Sequence, residues 1–101
     1  MADSDYARCK FSVACFTHEL AVVHCLRGLA AYAEQDCPRP ITWGGTKAKD
    51  WKAAGNQVTF RFTSSKFRDD FEQHATLFLS KGSWNAVTRS DSDPAKRQRK
   101  K

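Results

Sequence analysis

No stretch of eighteen or more apolar residues occurs in the sequence, so a membrane-spanning helix is not expected. The start lacks a basic segment followed by an apolar run and a small-residue cleavage site. Met1-Ala2-Asp3-Ser4-Asp5 reads instead as a short polar N-terminus. Four cysteines, at 9, 15, 25 and 37, include no C-x-x-C pair, and none stands with a histidine at zinc-ligand spacing. They read as small buried hydrophobes of a reducing compartment, which predicts an intracellular protein, in the cytoplasm or in a eukaryotic nucleus. The phosphate-binding pattern G-x-x-x-x-G-K-[ST] is missing, and no segment repeats.

Catalytic constellations are missing too. His18, His24 and His74 are the histidines, and none has a carboxylate or nucleophile at a spacing that suggests a dyad. His18 opens a predicted helix, His24 points away from the core, and His74 falls among Phe71 and Phe78 as a core histidine would. Asp69, Asp70 and Glu72 form a small acidic patch at the start of a second helix, where the first two complement the helix dipole. The expectation is a non-enzymatic protein without metal or cofactor, and an enzyme of unknown reaction is the remotest alternative.

What is present favours a single folded unit. The chain has 101 residues, 41% of them hydrophobic, with seven phenylalanines, enough for one core without staples. The formal charge of +6 is uneven. Lys96, Arg97, Arg99, Lys100 and Lys101 supply five of it, leaving 12 basic against 11 acidic side chains before residue 96. Within that body, residues 44–68 hold Lys47, Lys49, Lys52, Arg61, Lys66 and Arg68 against Asp50 alone. The protein therefore reads as a charge mosaic with one basic region and a basic tail.

Periodicity supplies the elements. Residues 8–16 alternate, with Cys9, Phe11, Val13 and Cys15 on one side, as in a half-buried strand. Thr17 is a good N-cap for a helix over 18–35 centred on Val22, Leu26, Leu29 and Ala33. Prolines 38 and 40 break the chain before Ile41-Thr42-Trp43, a short strand ended by Gly44-Gly45. Residues 46–56 form a basic connector with room for one helical turn, closed by the turn pair Gly55-Asn56. Gln57-Val58-Thr59-Phe60-Arg61-Phe62 alternates strictly, and Thr63-Ser64-Ser65 caps a helix with Phe67, Phe71, Ala75 and Phe78 inward. Residues 83–89 read as the last strand.

The order strand–helix–strand–strand–helix–strand predicts an α+β, ferredoxin-like split βαβ sandwich: a four-stranded antiparallel sheet with two helices on one face. Residues 1–7 would be a flexible start, 8–89 one domain, and 90–101 a disordered basic tail.

Three places could carry function. On the open sheet face Lys10 and Arg61 would stand mid-sheet, without the aromatics that RNA-recognition sheets use for stacking. That face reads as a phosphate-contacting surface, a plain solvated face or a homodimer surface. In the connector, Lys47, Lys49 and Lys52 could neutralise phosphates while Trp51 stacks on a base, or Trp51 could pin the loop to the core. The tail could bind nucleic acid, address the protein to a nucleus, or only raise solubility. The first expectation is thus a binding module for nucleic acid or a nucleoprotein complex. The second is a protein-interaction module, a subunit or inhibitor, whose basic loop and acidic helix start choose the partner.

Overall fold

The computed structural model describes residues 7–34, 41–42, 44 and 46–95. Six elements run in the order β1 (Phe11–Phe16), α1 (Leu20–Ala33), α2 (Ala48–Ala53), β2 (Gln57–Phe62), α3 (Ser65–Phe78) and β3 (Asn85–Ser90). The sheet has three antiparallel strands in the order β2-β1-β3. This corrects the four-stranded, two-helix sandwich expected from periodicity: α+β holds, but the sheet has one strand fewer and the chain one helix more.

The missing strand and the added helix have separate physical origins. Ile41 and Thr42 lie in a turn, and the peptide N–H of Arg61 on β2 donates to Thr42 O at 2.9 Å. Among the described residues that bond is the extent of the expected pairing there, for a three-residue segment between proline and glycine pairs offers no length for a ladder. Trp43 lies outside the described residues. The single helical turn anticipated in the connector is α2, closed by Asn56, at φ 68°, after Gly55, at φ 69°. Only glycine, asparagine and similar residues take this left-handed backbone cheaply.

Period-2 patterning places the core. Val13 and Cys15 of β1 and Val58, Phe60 and Phe62 of β2 face the helices and are buried. They meet Val22, Val23, Leu26, Ala30 and Ala33 of α1, with Phe71 and Ala75 of α3. The Phe71 ring lies 5.2 Å from Phe60 and 5.3 Å from Phe62, centroid to centroid. Each such phenylalanine contributes about 1.5–3 kcal/mol through burial. On α3 the inner seam runs Arg68, Phe71, Ala75 and then the partly buried Leu79. Phe78, expected inward, is instead 71% exposed. Steps of four from Phe71 through Ala75 lead to Leu79, which takes the core position at the end of the helix.

Helix ends differ in how they are secured. Ser64 caps α3 by accepting from Phe67 N at 3.1 Å, as its sequence predicts. α1 begins two residues later than expected, and Thr17 caps no helix. Its hydroxyl accepts from Glu19 N at 3.2 Å and donates to Ser83 O at 2.7 Å, while its amide donates to Asn56 O at 3.1 Å. At the far end of α1, Glu34 is buried and takes Thr63 N and Thr63 Oγ1, both at 2.7 Å. This carboxylate ties the end of α1 to the start of α3.

Backbone hydrogen bonding continues past residue 89. Ser90 belongs to β3, and Asp93 N and Ala95 N donate to Lys10 O and Cys9 O, each at 2.9 Å. Lys96, Arg97, Arg99, Lys100 and Lys101 lie outside the described residues.

Candidate functional site

The connector lysines are displayed by a buried tryptophan. Trp51 is 7% exposed, sits in the main core cluster, and donates Nε1–H to Thr17 O at 2.9 Å. A ring so placed anchors the loop and has no open face for a base, so the anchoring role is the one the geometry shows. On a six-residue helix the position two behind Trp51 lies on the opposite side and the position one ahead about 100° round from it. Those positions are Lys49 and Lys52, both exposed, and Lys47, also exposed, stands at the helix start. The Lys47 amide is bonded to Asp50 Oδ2 at 3.2 Å, which fixes the first turn.

Arg61 is not an available cation. It faces the open side of the sheet, since Phe60 and Phe62 point inward, but its Nε and Nη2 reach Asp93 O and Asp93 Oδ2 at 2.9 and 3.1 Å. Because Asp93 is bonded alongside Lys10, the guanidinium must cross β1, and Ser12, its partner in register, is buried beneath this crossing. Arg68 is spent in a similar way. Its Nη1 donates to Ser90 O at 3.0 Å and Asp91 Oδ1 at 2.8 Å, and lies 3.4 Å from Ser12 O. Two of the six cations in the basic region are therefore internal ties. Lys66 pairs with Asp70 at 3.1 Å in an exposed i,i+4 contact, an arrangement worth only about 0.3–0.5 kcal/mol and readily exchanged.

Lys10 is exposed, its ammonium 5.7 Å from the Phe11 ring centroid. It lies at the beginning of β1, whereas Trp51 is bonded to the residue just after the end of that strand. Seven residues of extended chain, roughly 20 Å, separate these two ends. The sequence-selected cations therefore form no single patch. Lys47, Lys49 and Lys52 occupy one end of β1, and Lys10 stands at the other with Ala95, after which the basic run follows.

Among the histidines, His18 Nδ1 is 3.4 Å from Asn56 Nδ2, His24 is exposed, and His74 lies between the Tyr32 and Phe78 rings. Among the described residues no histidine is bonded to a carboxylate, and no group of three or more metal-ligating side chains occurs. Cys15 is a buried free thiol, Cys25 an exposed one, and Cys9 is disulfide-bonded. Reading all four as buried thiols therefore fails at Cys9 and at Cys25. Burial pushes the Cys15 thiol up to about 12, the nearby Glu72 carboxylate adds to the rise, and Arg89 opposes it. The Arg89 guanidinium is itself held above its ordinary range, chiefly by its hydrogen bonds to Glu72. Tyr32 and Leu77, which periodicity does not single out, and Phe78, which it places inward, are large apolar side chains exposed by 71%, 68% and 71% on the helix layer.

No helix among the described residues is long and apolar enough to cross a membrane. Compared with known proteins, the chain matches no family model, no curated protein and no solved structure.

Proposed function

We propose that the protein is a non-enzymatic binding module for nucleic acid or a nucleoprotein complex, engaging phosphates through Lys47, Lys49 and Lys52 and through the basic run 96–101. The observation that carries this reading is the construction of α2. One side chain, Trp51, is sunk in the core and bonded to Thr17, so three exposed lysines are held on a rigid turn rather than a loose loop. Recognition is electrostatic, with no stacking by Trp51 and no contribution from Arg61, which is engaged with Asp93.

The test is binding to mixed-sequence single- and double-stranded DNA and RNA over a range of salt, with wild type and K47Q/K49Q/K52Q. Neutralising these three lysines should flatten the log–log salt dependence by about 2–3 units and weaken all sequences alike. Unchanged affinity in the triple variant would remove α2 from the interface.

A protein-interaction module is the second reading, favoured by the exposed Tyr32, Leu77 and Phe78. Their exposure favours the helix layer over the open sheet as a homodimer surface. Oligomeric state that changes in L77S/F78S, with nucleic-acid binding absent, would decide for it. Intracellular placement now rests on the free thiols Cys15 and Cys25 and is opposed by the Cys9 disulfide, a bond rare in reducing compartments. Whether Cys9 is bonded in freshly quenched cells decides that point.

A further inference from the structure

Where β1 begins and β2 gives way to α3, the surface opens into a cavity of about 460 Å³ lined in part by Arg8, Lys10, Phe11, Ser64, Lys66 and Phe67. The volume falls in the range of about 300–1,000 Å³ typical of small-molecule sites. Its wall has an unusual composition for this molecule. Three cations share it with two phenylalanine rings, and no carboxylate of the described residues lines it, although the body of the chain carries nearly equal numbers of both signs. Both rings are only partly buried, so part of each is left to the cavity.

The two lysines are poised rather than locked. Lys66 is held by its exposed contact with Asp70, and its side chain is 78% exposed. The Lys10 ammonium stands by the Phe11 ring. The hydroxyl of Ser64 already takes Phe67 N, so recognition falls to the cationic side chains and not to the start of the helix.

We propose that this cavity is a binding site for a nucleoside monophosphate, its phosphate held among Arg8, Lys10 and Lys66 and its base laid against Phe11 and Phe67. A dianionic phosphate suits a wall lined by three cations, and a planar base is the group that both stacks on aromatic rings and fills the remaining volume. The site uses none of the α2 lysines and lies at the opposite end of β1, so it can stand or fall independently of the nucleic-acid reading.

The experiment is calorimetric titration of the full chain with adenosine 5′-monophosphate, adenosine and inorganic phosphate. The monophosphate should bind about tenfold or more tightly than either fragment. R8Q/K10Q/K66Q should lose about tenfold or more of that affinity, while K47Q/K49Q/K52Q stays within about twofold of wild type. The three replaced side chains are exposed, so the variant should keep its thermal midpoint. Amide shifts in wild type give a second reading: Phe11, Ser64 and Phe67 should move on addition of the monophosphate. Equal affinity for the monophosphate and phosphate, full affinity in R8Q/K10Q/K66Q, or shifts confined to α2 would each overturn the assignment.

Discussion

Thr17 shows how much one residue can be asked to join. Its amide, hydroxyl and carbonyl together bind Asn56, Glu19, Ser83 and Trp51, so four separate parts of the chain meet on a single buried threonine. In the sequence it is legible only as an N-cap, because propensity knows nothing of partners 34 and 66 residues away. Arg61 and Arg68 were opaque for the same reason: a formal charge is visible in the sequence, but its employment by Asp93 and Asp91 depends on where a strand ends. Cys15 carries a measurable consequence of burial. Its thiol is shifted from 9.0 to about 12, so between those values the unfolded chain has lost the proton that the folded chain keeps. The unfolded state then binds fewer protons, and stability falls as pH rises. Wild type should therefore lose stability relative to Cys15→Ala by about 1.4 kcal/mol per pH unit above about pH 9. Parallel urea unfolding of the two proteins between pH 8 and 11 checks this, and parallel curves would disprove it.

Elements were legible where one rule governed them. Strict alternation gave β2 and, from Phe11 onward, β1, although the strand expected from residue 8 is helical at Ala7 and Arg8 and irregular at Cys9 and Lys10; a capping serine before spaced phenylalanines gave α3. Legibility failed where length or tertiary position decided instead. Ile41 and Thr42 have strand-forming character but too few residues to build a ladder, and Phe78 lies close to the apolar arc yet gives way to Leu79. The connector could be read either as an aromatic binding loop or as an anchored one, since exposure of Trp51 is not written in its neighbours. α2 should thus divide cleanly under mutation. Trp51→Ala removes a core side chain and the bond to Thr17, and should cost about 3–5 kcal/mol. K49Q/K52Q, on the outer side, should change stability by no more than about 0.5 kcal/mol. Thermal and chemical denaturation of the two variants will show whether anchor and display are separate functions of the same turn.

For the whole molecule, the decisive feature is the path of the chain after β3. Asp91 and Asp93 receive Arg68 and Arg61, one reaching from α3 and the other across the open face of the sheet. Composition alone made these residues part of a tail; they are the clasp that closes the sheet. A chain ending at Ala95 keeps both of these ion pairs and should unfold at the same denaturant concentration as the full chain. A chain ending at Arg89 leaves two guanidinium groups without their carboxylates, one of them buried, and should lose about 2–4 kcal/mol. Comparison of the two unfolding midpoints measures where the folded unit stops.

The bond from Ala95 to Cys9 fixes one further quantity. Six residues reach at most about 20 Å, so if the basic run engages a polyanion, as proposed, the body is leashed beside it. If that proposed contact holds, a 5′-terminal nucleotide of the same polymer, the one that can carry a dianionic phosphate, would visit the cavity near Arg8 at a local concentration in the millimolar range, without diffusion from bulk. Weak affinity for a free nucleotide would accordingly be no handicap to the assembled complex.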